Sequence, residues 1–437
     1  MSADFRVKIG RDSVRTFVSG AVASALAILT GIVLAKALGP SGKGEYSAVR
    51  LLYDGVVAIA GGAGSAIVYY LTKGDKPLRA LLPPLLRAFF VLCAVLWLGS
   101  LGWAALHGFN LGLVVFMIIV PASIIISWQP SLFVSFDRVK SLNYQNVTLA
   151  LITFLGTAIA LLLFHTSVVG PLAAWMFGLY VLALVVVLFS IETIKREPAH
   201  VEPVSDREIV NFSVRSSLTN VLAFLNSRID SMLVIALIGI AGFGIYSMAT
   251  GISELLYALS GSIATATARS IGVSNLQTSA TVTAKAVRFN LIVVTLVSCV
   301  IFIFAPFLIN KIYGKAFDSA ALPLRILLPG LVMFSSARIF NAFFTYQLGR
   351  PIFAVYLLVV VTLLQAIGCL VFIPMLGLAG AAWASTGAYV IATLGQSWYF
   401  CRVSKISHRA LWLPTMDDLS KLYEVAALTA KASFSTR

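Results

Sequence analysis

Gly39-Pro-Ser-Gly-Lys-Gly-Glu-Tyr-Ser47 returns, two hundred residues on, as Gly239-Ile-Ala-Gly-Phe-Gly-Ile-Tyr-Ser247. The glycines at 39, 42 and 44, the tyrosine and the serine all keep their places. Outward from this stretch, residues 13–74 and 213–274 align without a gap. Ser13-Val14-Arg15 matches Ser213-Val214-Arg215, and Ala58, Gly61 and Ala66 match Ala258, Gly261 and Ala266. Asp54 stands opposite Glu254, acid against acid. One shared glycine carries no information; a gapless run of matches does. The chain is read as two related halves.

The material between the matches is apolar. Of 437 residues, 59% are hydrophobic and 11% are charged, against roughly 25% charged in soluble domains. Mean hydropathy is +0.95. A soluble globule of this size needs a charged exterior, which this chain lacks. The composition excludes a cytoplasmic enzyme, a secreted disulfide scaffold and a disordered chain, and leaves a polytopic membrane protein. The long apolar runs, such as Leu291–Ile309 and Ala173–Ile191, are continuous rather than alternating, so the spans are helices and not barrel strands. The fold class is all-α.

About twelve spans are expected, at 14–38, 46–70, 80–106, 111–136, 142–165, 168–191, 209–238, 245–270, 287–310, 322–347, 352–374 and 376–402. Six fall in each half, an even number, so both halves enter the membrane from the same side. The repeat is parallel, giving two six-helix lobes at 1–191 and 209–402. The polar segment 192–208, with Pro198 and Pro203, is the inter-lobe linker, and 403–437 is a tail. Within that tail, Leu411–Phe434 reads either as a helix on the cytoplasmic surface or as a disordered segment. The first apolar run is too long for a signal peptide and reads as an uncleaved span.

Lysine and arginine set the orientation. One side holds Arg6, Lys8, Arg11, Arg15, Lys73, Lys76, Arg79, Arg138, Lys140, Lys195, Arg196, Arg207, Arg269, Lys285, Arg288, Arg350 and the tail cations Arg402, Lys405, Arg409, Lys421, Lys431 and Arg437. The other holds only Lys36, Lys43, Lys311, Lys315 and Arg325. The positive-inside rule then places both termini in the cytoplasm. The net charge of +15 is mostly this topological signal, and no nucleic-acid partner is expected.

A charge at the bilayer centre costs ~3 kcal/mol or more, so each one inside a span needs a reason. In the seventh span Ser213, Ser217, Asn220, Phe224, Ser227, Arg228 and Ser231 share a stripe about 100° wide. Such a stripe lines either a tight helix interface or a watery cavity. The mid-depth of Arg228 favours the cavity. Asp230 is about 100° off the stripe and reads equally as a structural partner or a site residue. In the second span Ser47, Arg50, Asp54, Gly61 and Ser65 share a face, with Arg50 and Asp54 placed to pair. The eighth span repeats this with Ser247, Thr250, Glu254, Gly261 and Thr265. Arg50 is shallow enough to snorkel as well as to face a cavity. In the tenth span Arg338, Asn341 and Thr345 share a face, with Ser335 nearby, while Arg87 in the third lies nearer the cytoplasm, where snorkelling competes. Trp128-Gln129-Pro130 and Pro329-Gly330 are expected breaks or kinks.

The tally inside the spans is positive: Arg50, Arg87, Arg228 and Arg338 against Asp54, Asp230 and Glu254. Arginine suits phosphate because its planar fork makes paired hydrogen bonds and keeps its proton. The expected substrate is anionic, such as a phosphate ester, with Arg228, Arg338, Arg50, Asn220, Ser227 and Asn341 as binding residues. Asp54, Glu254 and Asp230 are the candidate ion-coupling residues. An exporter of organic cations would want the opposite balance.

Other chemistry leaves little trace. Gly39-Pro-Ser-Gly-Lys-Gly44 lacks the spacing and the hydroxyl residue of a phosphate loop and reads as a tight turn between helices. Cys93, Cys299, Cys369 and Cys401 have no metal spacing, and His107, His165, His200 and His408 are scattered. Nothing points to a metal, a cofactor or a catalytic triad. A membrane-embedded polymerase or ligase would want a catalytic outer loop, and the longest, around Lys311–Ala321, carries a single acid, Asp318.

The ending of the first span, Gly31-Ile-Val-Leu-Ala-Lys-Ala-Leu-Gly-Pro-Ser-Gly-Lys-Gly-Glu-Tyr46, resembles the opening of the polysaccharide transporter family. There the pattern Leu-Ala-Arg-x-Leu-Gly-Pro-x-Gly-x-Gly-x-Tyr ends the first helix; Lys36 here replaces the usual arginine. The family belongs to the multidrug/oligosaccharidyl-lipid/polysaccharide (MOP) exporter superfamily, with lipid II flippases and drug and toxin extrusion carriers as relatives. Several relatives carry fourteen spans rather than twelve. The resemblance implies a bacterial inner-membrane flippase for undecaprenyl-pyrophosphate-linked oligosaccharide repeat units. It implies alternating access through rocking of two lobes about a cationic cavity, with the prenyl tail in membrane lipid. H⁺ or Na⁺ would reset the carrier, and a polysaccharide polymerase is a candidate partner. A multidrug or small-solute antiporter and a lipid II flippase are the alternatives within the superfamily.

Overall fold

The computed structural model describes residues 3–164, 167–199, 201–350 and 352–413, with side chains described from Arg15 onward apart from 17, 255, 258, 259 and 269. The side chains of Arg6, Lys8, Arg11 and Arg269, together with His165, His200, Lys421, Lys431, Arg437 and the surface helix expected beyond 413, lie outside the described residues.

Every described element is helical. The chain runs through α1 (Ala3–Thr72), α2 (Leu78–His107), α3 (Leu111–Ser135), α4 (Val139–Phe164), α5 (Val169–Lys195), α6 (Asp206–Leu237), α7 (Ile240–Val273) and α8 (Leu276–Tyr313). A 3₁₀ turn at Lys315–Ala320 leads to α9 (Ala321–Ser335), α10 (Ala337–Ala342) and a π-helical turn at Phe343–Gln347. Then come α11 (Ile352–Leu376), α12 (Leu378–Ser404) and the short α13 (His408–Trp412). Among the described residues, nine helical segments are long and apolar enough to cross a membrane. The first is 55 residues long, far beyond the roughly 20 that one pass needs. It is divided at Gly39, whose φ of 65° and ψ of −168° are not helical. Counting α1 as two passes, and adding the more polar α7 and α12, reproduces the twelve expected spans.

Gly39 and Gly239 adopt similar backbone angles, with φ of 65° and 102° and ψ of −168° and 178°. Such angles exact no steric cost only from glycine. The repeat is thus a repeat of conformation. A tight turn is also what the faint phosphate-loop pattern was expected to be.

Three expectations are corrected. Trp128-Gln129-Pro130 does not break its helix: α3 is continuous through Pro130, and the Trp128 indole donates to the Ala60 carbonyl at 3.0 Å. Pro329-Gly330 lies inside α9, and the interruption falls at Ser336. Gly330 serves close packing instead, because a Cβ there would sit 2.6 Å from the Thr386 Cα of α12. Finally, α8 starts at Leu276, well before the expected 287. Asn275 caps it by accepting from the Thr278 N–H at 2.9 Å. Its first turns are polar by composition, yet they bury Ser279, Ala280, Thr283, Ala284 and Val287. A hydropathy window cannot see an amphipathic extension of that kind.

Packing divides the chain into two compact units, Met1–Arg228 with Ile240–Gly244, and Ile229–Gly239 with Ile245–Arg437. This division falls inside α6, whereas the repeat-based lobes meet at 192–208. In the first unit α1 packs on α3 and α4, and α4 on α5. Leu34, Tyr46, Val49, Ile119, Leu172, Trp175 and Leu179 form one of its cores. In the second unit α12 packs on α9 and α11, and Phe340, Phe343, Phe344 and Phe400 gather around Ile271 and Leu411. Elsewhere large apolar side chains such as Phe90, Leu98, Leu162 and Ile303 are left exposed, as a bilayer solvent permits.

The segment 192–208 is strapped to the first unit. Both carboxylate oxygens of Glu197 accept backbone N–H bonds, from Leu78 and Arg79, each at 2.7 Å. They occupy the N-terminus of α2, where orphan donors and the helix dipole favour an anion. Val204 N–H donates to the Ala80 carbonyl, and Arg87 forms an ion pair with Asp206. That pair gives Arg87 a structural role at the surface.

Candidate functional site

In the first unit, the stripe on α6 meets the second half of α1. A Cβ on Gly62 would overlap the Ser213 carbonyl and the Ser217 hydroxyl. One on Gly61 would sit 3.2 Å from the Asn220 amide nitrogen, and one on Gly55 would sit 3.5 Å from the Phe224 ring. Ser217 donates to the Ile59 carbonyl, and Ser227, though exposed, donates to its own helix at Phe224. From Ser213 to Phe224 the stripe is therefore a small-residue helix contact, the alternative that the sequence reading set behind a cavity wall. Close approach of two backbones needs glycine on one side and short side chains on the other, and both are present.

Arg228 ends this contact. Its guanidinium lies 3.5 Å from the Asp54 carboxylate, with both side chains about one-third exposed or less. The ion-pair contact to Asp54 thus comes from an arginine of α6, while Arg50, one turn away on its own helix, also acts on that carboxylate electrostatically, as expected. The Arg50 guanidinium lies over the Trp175 ring of α5, 5.4 Å from its centroid. Tyr53 contacts the same indole edge-on at 5.3 Å, and Tyr46 flanks it at 6.1 Å. Nearby, Lys43 donates to Ser47 at 3.1 Å. The first unit therefore places Arg50, Arg228 and Asp54 within apolar helices, with Lys43 and Glu45 nearer the Gly39 break of α1.

The second unit holds the other candidates. Asp230 is 4% exposed. Its Oδ2 accepts from the Tyr246 hydroxyl at 2.8 Å and from the Ser385 hydroxyl at 3.1 Å, and its Oδ1 from the Ser231 N–H at 2.7 Å. Gln365 donates to Ser385 at 2.9 Å, and the Gln365 Oε1 is buried without a hydrogen-bond partner. Four helices, α6, α7, α11 and α12, thus surround one buried carboxylate with oxygen atoms. Three donors converge on that carboxylate and satisfy it by hydrogen bonding. Glu254 lies exposed on α7. Arg338 is exposed on α10, its guanidinium 4.0 Å from the Tyr257 ring centroid. Asn341 accepts from Gln396 at 3.1 Å.

Sequence reading found the charges but missed their companions. Gln365 and Ser385 were legible as isolated polar residues in apolar spans. Tyr246 was legible through its repeat mate Tyr46. Trp175 and Tyr257 carried no signal, because an aromatic ring in a span is ordinarily packing and its arginine comes from another helix. Among the described residues, no cluster of three or more His, Cys, Asp or Glu side chains could hold a metal.

Residues 135–323 match the sequence profile of a family described as polysaccharide biosynthesis protein. No curated protein matches the chain. Several solved structures do. An inward-facing multidrug resistance MATE family transporter of the MOP superfamily aligns with a TM-score of 0.69 at 17% identity, covering 90% of this chain and 99% of its own. The lipid II flippase MurJ, in an inward closed conformation, aligns with a TM-score of 0.69 at 14% identity, covering 95% and 92%. A MOP superfamily transporter from Pyrococcus furiosus, described by the reverse polarity of its binding pocket, aligns with a TM-score of 0.59 at 16% identity, covering 91% and 95%. The chain is a multi-pass, all-α membrane protein with the fold of the MOP superfamily transporters and flippases, and its central part carries the signature of polysaccharide biosynthesis proteins.

Proposed function

We propose that this protein is a flippase that moves undecaprenyl-pyrophosphate-linked oligosaccharide repeat units from the cytoplasmic to the outer leaflet by alternating access. The observation that carries the reading is the excess of guanidinium over carboxylate inside the spans of the first unit. Arg228 meets Asp54 while Arg50 rests on Trp175. An arginine held against a ring keeps its in-plane N–H donors for a phosphate. The family profile favours a polysaccharide precursor over a drug. Arg50 and Arg228 of the first unit and, taken by itself, Arg338 of the second are the candidate contacts of the pyrophosphate, and Asp230 would take the H⁺ or Na⁺ that drives return. The two repeat-based lobes, 1–191 and 209–402, would be the moving bodies. The protein acts without cofactor or catalytic step, in the bacterial inner membrane with both termini cytoplasmic. Reporter fusions at either end test the orientation.

Within this fold, pocket polarity differs between carriers, as the description of the Pyrococcus furiosus transporter states of that protein. A multidrug antiporter would want an acidic pocket, and the first unit is basic. A lipid II flippase would share the pyrophosphate chemistry and differ only in the sugar.

The test is binding of undecaprenyl pyrophosphate to the purified protein in nanodiscs, beside Arg228→Ala and Arg338→Ala. Binding by the wild type and its loss in both variants is expected. Equal binding by all three proteins rejects the arginine site. Absence of binding to the bare lipid, with binding of organic cations, moves the antiporter ahead.

A further inference from the structure

Two arginines meet the end of α12 from different parts of the second unit. Helices α11 and α12 pack on each other and are joined at Gly377, so the start of α11 and the end of α12 lie at one level. Arg350 precedes α11, and Arg402 lies in the last turn of α12. The Arg350 guanidinium donates to the Tyr399 hydroxyl at 2.9 Å. The Arg402 guanidinium lies against the Trp398 ring, 5.4 Å from its centroid. At about 100° per residue, Arg402 points between the directions of Trp398 and Tyr399. Both cations therefore serve one patch of α12.

Three details distinguish this patch from loose surface charge. The first is its rigidity. Phe353 stacks on Tyr399 with centroids 4.6 Å apart and planes within 19°, and the buried Phe344 meets it edge-on at 5.4 Å. Arg350 is fixed from the backbone, where its N–H donates to the Phe344 carbonyl at 2.9 Å. The Tyr399 oxygen accepts from Arg350, so its own hydrogen is left to donate. The second detail is charge. No aspartate or glutamate occurs between Asp318 and Asp417, and among the described residues neither Arg350 nor Arg402 pairs with a carboxylate. The third is an exposed apolar stripe on α12, formed by Ile391, Leu394 and Trp398, that ends at Arg402. Its spacing is that of one helix face.

We propose that Arg350, Tyr399 and Arg402 bind the phosphate of an anionic phospholipid, in the leaflet that the cation bias of the sequence makes cytoplasmic. Two guanidinium groups and one O–H supply charge-assisted bonds to the phosphate. An acyl chain lies along Ile391, Leu394 and Trp398, and the rings of Trp398 and Tyr399 stand at headgroup level, where amphipathic aromatics belong. Charge selects the class of lipid. A zwitterionic headgroup brings an ammonium for which α11, α12 and α13 offer no carboxylate. The bound lipid bridges the turn before α11 to the end of α12 and so stabilises the second unit. The site does not depend on what the carrier moves.

Native mass spectrometry of the full chain in detergent measures the binding of phosphatidylglycerol and phosphatidylcholine with matched acyl chains. The wild type is expected to hold phosphatidylglycerol at least ~tenfold more tightly, the worth of one charge-assisted contact. Arg350→Gln combined with Arg402→Gln abolishes that preference, and Tyr399→Phe reduces it. Lys311→Ala, which removes an exposed cation at the end of α8, leaves it unchanged. Arg402→Gln alone, which reduces the preference, provides the same test should the double variant not fold. Equal binding of the two lipids by the wild type overturns the proposal. So does a preference that survives the glutamine substitutions, or one that falls equally in Lys311→Ala. Displacement of phosphatidylglycerol by undecaprenyl pyrophosphate, with binding of both lost in the double variant, gives the two arginines to the transported lipid and overturns the phospholipid site.

Discussion

A methyl group on Gly244 would come within 2.9 Å of the backbone nitrogen of Gly44 and would overlap the Pro40 carbonyl; a methyl on Gly44 would overlap the Ile240 carbonyl. The repeat glycines thus meet reciprocally, each needed because the other half's turn lies against it. Gly244→Ala is expected to destabilise the protein by ~1–3 kcal/mol, the usual cost of overpacking. Gly102→Ala, where nothing lies within 4 Å, should not. Thermal unfolding in detergent compares the two, and equal midpoints would refute the contact.

The Arg228–Asp54 pair sets a second expectation. Both groups are partly exposed, so their attraction is worth at most about 1 kcal/mol. Asp54→Asn releases that hold on Arg228 and should strengthen pyrophosphate binding by up to about fivefold. Arg228→Ala removes a charge-assisted contact worth ~1.5–3 kcal/mol and should weaken binding tenfold or more. Titration calorimetry reads both, and opposite signs are the point of the comparison.

Asp230 is predicted to carry the cation response. Asp230→Asn should abolish the stabilisation that sodium or a pH change gives the wild type, while pyrophosphate binding without the cation persists. Tyr246→Phe removes one of the hydroxyls that donate to Oδ2 and should cost ~1–3 kcal/mol of stability. Melting curves against sodium and pH decide it. An unchanged response in Asp230→Asn would place coupling elsewhere.

Glu197 is predicted to hold the strap. Glu197→Ala leaves the Leu78 and Arg79 N–H groups without their carboxylate, a loss of ~0.5–2 kcal/mol for an N-terminal cap. Trypsin should then cut faster at Lys195, Arg196 and Arg207. Limited proteolysis with mass spectrometry measures the rate.

The sequence alone established the membrane class, the helical fold, the twelve spans and the turn glycines. Each rests on a property that the chain carries locally: an apolar run of bilayer length, or a glycine where φ is positive. It also located most of the charges inside the spans, because burying charge in lipid is costly enough to stand out residue by residue; Lys43 and Arg288, read as cations at the span ends, were missed. It could not say what meets each charge. The Ser213–Phe224 stripe had the periodicity of either a cavity wall or a helix contact, and only Gly55, Gly61 and Gly62 on α1 decided for contact. Asp54 had an arginine one turn away, and the structure added Arg228 from another helix as its ion-pair contact. Asp230 gained Tyr246, Ser385 and a neighbouring Gln365 from three further helices. Helix periodicity gives the direction of a side chain from its own axis; what lies in that direction is set by packing between helices distant in sequence, and only the tertiary structure decides it.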